Sequence, residues 1–224
     1  MPHRTVAIGD IHGHLAALNA LVDLIDLTPS DTLVLLGDYI DRGPQSAQVI
    51  QRIIDLSKQY RVIAIRGNHE EMLLQALKNE WYYNTWMSNG GDVALESYGG
   101  GVDLIPESHL DFLEQLPLVH ELDHHFFVHA SFTPNRRLDE QLPNDTLWGS
   151  LDDVTHCHFS GKIAVVGHTP QFTQKILDRG YLKCLDTACG FGGVLTAYDL
   201  VNETIWQVTE EGQKAGDYLN DFGG

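Results

Sequence analysis

The sequence is poor in basic residues and contains no long hydrophobic run. Lys and Arg number 14 against 31 Asp and Glu, which gives a net charge of −17 at pH 7. This balance argues against a nucleic-acid backbone or an anionic membrane surface as a partner. No apolar stretch approaches the length of a membrane span, and the first residues do not resemble a signal peptide. We therefore expect neither a nucleic-acid nor a membrane partner.

Cysteine is also scarce, and this excludes a disulfide framework. Cys157, Cys184 and Cys189 are odd in number and scattered, so we expect free thiols and a cytoplasmic location. With 224 residues and 43% hydrophobic residues, the chain is long enough for one large domain with a substantial core. We expect a single domain over residues 1–208 and a loose, acidic and glycine-rich tail over residues 209–224.

Apolar runs alternate with helical patterns in the first half of the chain. The pattern predicts strands at residues 5–9, 32–37 and 61–67, and helices at 15–25, 46–60 and 70–77. This βαβαβ order favours an α/β fold with right-handed crossovers and a largely parallel central sheet. The stretch from 81 to 116 reads as helices and loops. Further strands are predicted at 124–130, 162–168, 181–186, 193–200 and 204–208.

Ligand-type side chains follow five of the predicted strands. The segments are GDIHGH (9–14), GDYIDRG (37–43), GNHE (67–70), VHA (128–130) and VGHTP (166–170). Sites in open α/β sheets form beyond the carboxyl ends of the strands, so these ends can converge on one crevice. The side chains brought together are Asp10, His12, Asp38, Asn68, His129 and His168. Mixed oxygen and imidazole donors suit Mn, Fe or Zn better than calcium.

These motifs, in this order, resemble the phosphoprotein phosphatase branch of the calcineurin-like metallophosphoesterases, and most closely its short bacterial and phage serine/threonine phosphatases. The resemblance covers nearly the whole chain. It implies a central β-sandwich flanked by helices, with a dinuclear metal site at the carboxyl ends of strands. It also implies two divalent ions as cofactors, with Mn²⁺ expected first and Fe or Zn as alternatives.

The resemblance assigns a role to each ligand residue. Asp10 and His12 would hold the first metal, and Asp38 would bridge both ions. The second metal would be completed by Asn68, His129 and His168. One carboxylate between two cations offsets their repulsion, and the ions lower the pKa of a shared water.

The same resemblance implies the chemistry of a hydrolase. A hydroxide bridging the metals would attack phosphorus in line while His69 protonates the leaving alkoxide and Asp41 orients His69. Arg42 would clamp the phosphoryl oxygens with its planar fork, and Asn68 would also contact the substrate. The implied substrates are phosphomonoesters, foremost phosphoserine or phosphothreonine in proteins, with phosphotyrosine also considered. A dinucleoside polyphosphate hydrolase is the alternative. A metal-binding module without catalysis is disfavoured, because metal binding alone needs neither Asp41 nor Arg42.

One segment departs from the family pattern. Members usually carry a second phosphate-binding arginine where this chain has Ser150, within LWGSL (147–151). Arg136 and Arg137 are the nearest candidates to replace it. The roles of His14 and Cys189 stay open at this point.

Overall fold

The computed structural model describes residues 3–215, which form two five-stranded sheets with helices around them. The strands are β1 (Thr5–Ile8), β2 (Thr32–Leu35), β3 (Arg61–Ala64), β4 (Val119–Glu121), β5 (His125–Val128), β6 (Ile163–Val166), β7 (Leu177–Asp178), β8 (Leu182–Cys184), β9 (Val194–Asp199) and β10 (Ile205–Thr209). The helices are α1 (Leu15–Ile25), α2 (Ser46–Ser57), α3 (Asn68–Ala76), α4 (Glu80–Trp86), α5 (Asp92–Ser97), α6 (Glu107–Glu114) and α7 (Pro143–Trp148).

The first sheet has the strand order β10-β9-β1-β2-β3. Its strands β1, β2 and β3 are parallel, and β9 and β10 add an antiparallel edge. Helices α1 and α2 connect the parallel strands, and each buries an apolar stripe in the core, as Leu18, Leu21 and Ile25 of α1 show. This three-to-four residue spacing is what an amphipathic crossover helix requires. The predicted βαβαβ opening is confirmed.

The second sheet has the strand order β4-β5-β6-β8-β7. Its inner strands β5, β6 and β8 are parallel, whereas β4 and β7 pair antiparallel at the edges. The sequence did not predict β4 or β7. Three and two residues are too few to show an alternating pattern.

The two sheets pack face to face across a shared apolar layer. Ala7 and Val34 of the first sheet belong to the same buried cluster as Phe127 and Val165 of the second. The β-sandwich implied by the family resemblance is therefore confirmed. The residue pattern predicted a largely parallel central sheet, which β1, β2 and β3 form, but it did not show that the later strands divide between two sheets. A strand covered on both sides is apolar throughout in either arrangement, so periodicity does not assign it to a sheet.

The aromatic run at residues 81–86 packs only partly on the core. Trp86 is fully buried and Tyr83 packs beside it, whereas Trp81 and Tyr82 are exposed. Beyond α4 the chain turns through Met87–Gly91, with a kink at Asn89 and Gly90, into α5. This turn places Trp86 under the loop that follows β2.

The segment after β10 folds back on the first sheet. Ala215 donates its backbone N–H to the Gln207 carbonyl, and Val208 bridges to Lys214. Residues 216–224 of the predicted tail lie outside the described part of the chain, so the division into a 1–208 domain and a 209–224 tail stays a prediction. Among the helices within residues 3–215, none is both long and apolar enough to cross a lipid bilayer.

Candidate active site

The loops that leave β1, β2 and β6 adopt a left-handed backbone at the predicted site residues. The φ angles are +46° at His12, +51° at Asp38, +71° at Asp41, +67° at Arg42 and +63° at His168. Non-glycine residues rarely adopt this conformation, and such strain concentrates at functional sites. These five positions are all residues that the sequence analysis singled out, although Asp26, Gln174, Ala188 and Glu203 also have a positive φ elsewhere in the described residues.

Asp38 lies between two groups of potential metal ligands. The first group contains His12, Asp38 and His69, and the second contains Asp38, His129 and His168, with the donor atoms of each group within 4.8 Å of one another. Asp38 Oδ2 is 3.6 Å from His12 Nε2, and Asp38 Oδ1 is 3.3 Å from His129 Nε2. One carboxylate thus serves both groups, as the bridging role requires.

Asn68 completes the second group. One end of its side-chain amide lies 2.9 Å from His129 Nε2 and 3.0 Å from His168 Nδ1, and with the nitrogen at that end the amide donates to both rings and to Asp38. His129 Nδ1 contacts the Leu36 carbonyl at 2.8 Å, so Nδ1 carries a proton and Nε2 faces Asn68. Asp38, His129 and His168 therefore surround one donor position, and with the amide turned over its oxygen would join them as a ligand. This donor set fits a divalent cation.

Asp10 lies beside these groups but belongs to neither. Its Oδ2 atom accepts a hydrogen bond from the His168 backbone at 3.0 Å, while its buried Oδ1 atom has no partner. Gly167 and Gly67 let the backbone approach the carboxylates, because a Cβ at these positions would collide with Asp10 and Asp38, respectively. An unpartnered buried carboxylate oxygen is costly, and a cation is the natural partner for it.

The electrostatics of the site also favour a bound cation. Burial raises the pKa of Asp10, with Asp186 raising it further, and burial raises the pKa of Asp186 to about 6. Burial lowers the pKa of His168 to about 4 and that of His12 well below its usual value. Burial also lowers the pKa of His129, but Asp38 outweighs it and raises the value to about 10. A bound metal ion would favour the deprotonated carboxylates and the neutral imidazoles, because both ligate only without that proton.

His69 is held by a chain of hydrogen bonds. Its Nδ1 atom is 2.6 Å from Asp41 Oδ2, and Trp86 Nε1 donates to both Asp41 oxygens at 2.9 Å. Burial lowers the pKa of His69, but Asp38 and Asp41 together raise it above its usual value. The proton-bearing Nδ1 faces Asp41, so Nε2 is the atom that faces the two ligand groups.

Arg42 lies over the two imidazoles of the first group. Its Nη1 atom is 2.5 Å from His12 Nε2, and its Nη2 atom is 3.2 Å from His69 Nε2. The face of the guanidinium stacks on Phe191, with Cζ 4.2 Å from the ring centre. The N–H edge of the guanidinium therefore points into the site, where it can bind phosphoryl oxygens.

Glu70 belongs to neither ligand group, and its carboxylate holds the loops together through their backbone N–H groups. One oxygen accepts from the backbone N–H groups of Gly67 and Asp38 at 2.9 Å, and the other accepts from Tyr39 at 2.8 Å. These bonds connect the start of α3 to the loop after β2. This agrees with a structural role for Glu70.

The second arginine expected from the family pattern has no counterpart at residue 150. Ser150 instead caps a short turn, accepting from the Asp152 N–H at 3.2 Å. Arg137 is exposed and pairs with Asp139 and Glu140. Arg137 is thus engaged at the surface, while Arg136 stays a candidate for the missing clamp.

The other polar candidates contact structural partners. His14 Nε2 lies 3.7 Å from Glu210 Oε1, and Cys189 is buried in the core beneath α1. In the HCH segment at 156–158, His158 contacts Ser160 and the Arg136 carbonyl. Within residues 3–215 the potential metal ligands therefore gather in the two groups that share Asp38.

Sequence reasoning missed Trp86 and Asp186 as residues of this site. A tryptophan in an amphipathic helix has the pattern of a core residue, so nothing marked its bond to Asp41. Asp186 follows β8 in LKCLDT and obeys the same rule as the other strand-end ligands, so that signal was present. The Asp186 side chain is 4% exposed and lies beside Asp10, where it adds to the buried negative charge.

Comparison with known proteins supports this geometry. A protein named serine/threonine-protein phosphatase 1, from Salmonella typhimurium, is 28% identical over 84% of this chain and 88% of its own length. A symmetrical bis(5'-nucleosyl)-tetraphosphatase from Stutzerimonas stutzeri is 33% identical over 62% of this chain and 48% of its own length. The chain spans only 18% and 24% of the length of two further relatives.

Solved structures show the same fold. One described as a putative diadenosine tetraphosphatase has a TM-score of 0.71 at 24% identity and covers 92% of this chain and 93% of its own. A cold-active protein-tyrosine phosphatase from a Shewanella species has a TM-score of 0.64 at 19% identity, covering 95% of this chain and 79% of its own. The family model described as calcineurin-like phosphoesterase matches residues 3–192. The sandwich, its strand-end ligands and this match together lead to one conclusion: the chain belongs to the calcineurin-like phosphoesterases and is a metallophosphoesterase.

Proposed function

We propose that this metallophosphoesterase removes phosphate from phosphoserine and phosphothreonine in proteins. The observation that carries the proposal is the Trp86–Asp41–His69 chain, which directs one imidazole nitrogen at the two ligand groups. Asp41 would orient His69 for either metal binding or proton donation, and the Arg42 guanidinium beside His69 Nε2 favours catalysis. The match to the Salmonella phosphatase, which extends over most of both proteins, supports the same substrate class.

The ligand groups fit two divalent cations, and we propose Mn²⁺. In this proposal Asp10 and His12 hold one ion, Asp38 contacts both, and the other is held by Asn68, His129 and His168. When bound, the ions supply a water of lowered pKa and offset the negative charge of the phosphoryl group.

The remaining steps use side chains of this chain. Arg42 binds two phosphoryl oxygens at its N–H edge and orients the ester for in-line displacement. His69 donates its Nε2 proton to the departing oxygen, and Asp41 stabilises the charged imidazole and fixes its orientation. A serine alkoxide is a poor leaving group, so it depends on this proton.

Hydrolysis of dinucleoside tetraphosphates is the second candidate, because several relatives carry that name.

We also propose a cytoplasmic location, since Cys157, Cys184 and Cys189 are all free thiols. The charge of −17 supports a substrate other than nucleic acid.

The test compares kcat/KM of the Mn²⁺-loaded protein on a phosphoserine peptide, p-nitrophenyl phosphate and diadenosine tetraphosphate. We expect the phosphopeptide to exceed the dinucleotide by at least about tenfold, equivalent to about 1.4 kcal/mol of transition-state stabilisation. The reverse order would replace the proposal with the second candidate. Equal loss of all activities in His69→Asn would show that the imidazole does not act on the leaving group.

A further inference from the structure

We propose that Phe172 and Phe191 form an aromatic subsite beside Arg42 that binds the ring of an aryl phosphomonoester, with phosphotyrosine in a peptide as its physiological form. The inference rests on the proposed phosphomonoesterase activity and names a second substrate class for the same site. It assigns a specificity role to two residues outside the ligand groups.

Both rings are exposed and lie against each other. Phe172, in the loop after β6, is 72% exposed, and Phe191, in the turn between β8 and β9, is 51% exposed. Their ring centres are 5.8 Å apart with the planes inclined at 59°. Two large apolar rings left in water at the rim of a polar site are typical of a ligand-binding surface.

Arg42 connects these rings to the site of the reaction. Its guanidinium face stacks on Phe191, while its N–H edge points toward His12 and His69. A phosphoryl group bound at that edge lies next to the ring of Phe191. The group esterified to it then lies within reach of the aromatic pair.

The turn that carries Phe191 is fixed rather than loosely attached. Phe191 donates its N–H to the Ala188 carbonyl at 2.9 Å, and Gly192 donates to Glu210 Oε1 at 2.8 Å. Gly190 lies directly against the His12 ring, where a Cβ would meet the ring carbons. The position of Phe191 relative to the ligand groups is therefore set by the backbone, which lowers the entropic cost of stacking a substrate on it.

The distance from Arg42 favours an aryl ester over a nucleotide. In an aryl phosphate the ring is bonded to the ester oxygen itself, so it lies beside the bound phosphoryl group. In a nucleotide the ribose separates the base from the phosphate. The centre of the Phe191 ring lies 4.2 Å from Arg42 Cζ, so a substrate ring that contacts Phe191 must lie close to the bound phosphoryl group. An aryl phosphate has that geometry.

The experiment uses two peptides of one sequence that differ only in phosphotyrosine or phosphoserine. The variants are Phe172→Leu and Phe191→Leu, and the matched control is Phe159→Leu, because Phe159 is 61% exposed and packs on His158. We expect the ratio of kcat/KM on phosphotyrosine to that on phosphoserine to fall about two- to tenfold in both variants, the range expected for an aromatic pair. The control should keep the wild-type ratio.

Binding provides a second readout. Titration calorimetry should show that the wild-type protein binds phenylphosphonate more tightly than methylphosphonate, and that Phe172→Leu reduces the difference. An unchanged ratio in both variants would overturn the subsite, and so would equal losses on both peptides, which would leave Phe191 with the role of orienting Arg42. A larger loss on diadenosine tetraphosphate would assign the rings to a nucleobase and overturn it too. Activity on the dinucleotide alone in the wild-type protein would instead reject the proposed function.

Discussion

One buried aspartate lies at the amino end of β2 and another at the carboxyl end of β1, and their hydrogen-bond environments are opposite. Asp31, before β2, is 3% exposed and accepts bonds from the Thr28 N–H and from the backbone and guanidinium of Arg4. Asp10, after β1, is 2% exposed, and its Oδ1 atom has no partner. The Arg4 hydrogen bonds lower the pKa of Asp31, whereas burial raises that of Asp10.

The comparison distinguishes a buried aspartate that stabilises the fold from one that is available to a ligand. Equal burial of the same side chain is favourable where donors surround it and unfavourable where the donors are missing. The amino ends of the strands are therefore built to hold the fold. The carboxyl ends keep acceptors free for a ligand, and the following substitutions test that division.

The largest effect is expected for Asp38→Asn. Because this carboxylate serves both ligand groups, the variant should lose about 10⁴-fold or more in kcat/KM and bind less metal. Steady-state kinetics and metal analysis after chelation and Mn²⁺ addition measure both quantities. Near-wild-type turnover would show that the two groups do not act as one site.

His69→Asn should slow alkyl phosphates by about 10²–10⁴-fold while the bound metal is retained. The loss should be smaller for p-nitrophenyl phosphate, because its phenolate departs without a proton. The ratio of the two losses is the decisive measurement. Loss of metal would instead make His69 a ligand, as its place in the first group with His12 allows.

Trp86→Phe tests the hydrogen bond to Asp41 at the carboxyl ends of the strands. The change keeps an aromatic ring but removes the N–H that binds Asp41, so kcat should fall about tenfold with KM little changed. Tyr83→Phe is the matched control, because Tyr83 packs beside Trp86 without contacting Asp41 through a hydrogen bond. A general loss of folding would appear as lower thermal stability with unchanged activity per folded molecule.

The smallest effects concern stability and should differ in sign between the two ends. Asp31→Asn should lower the free energy of unfolding by about 1–3 kcal/mol at neutral pH, since it removes a charged acceptor that Arg4 has bound. The pKa of Asp31 is lower in the folded protein than the usual value of about 3.9, so its contribution is complete above that pH and disappears as pH falls below it. The difference between variant and wild type should therefore shrink in acid.

Asp10→Asn is the matched variant at the opposite end. In the presence of a chelator it should leave the melting temperature unchanged or raise it, because it removes a buried charge next to Asp186. Denaturant unfolding and thermal melts of both variants check the pair. A loss of stability equal to that of Asp31→Asn would mean that Asp10 is also a structural residue.

Much of this arrangement could be predicted from the sequence because ligand-type residues immediately follow apolar strands. Asp10, Asp38, Asn68, His129 and His168 all lie where that rule places them. The rule depends on local sequence alone, so it applies even though the strands belong to two sheets. The pairing of the sheets depends on long-range contacts, which a run of buried apolar residues does not encode.

Other features could not be predicted for a different reason. Trp86 lies far from Asp41 in the chain, and its helix shows only that one face is buried. The stacking of Arg42 on Phe191 likewise joins two distant segments, and an exposed phenylalanine in a glycine-rich turn carries no local sign of its neighbour. Such contacts become visible only when the fold brings the segments together.

The four backbone hydrogen bonds that Glu70 accepts have a consequence for how the protein binds metal. They hold the ends of β2 and β3 in one shape through protein contacts alone, so the ligands are arranged before any ion arrives. Small zinc domains, by contrast, spend metal-binding energy on folding. Here the ion meets a preorganised site, and we expect metal to be stripped and returned without unfolding the chain.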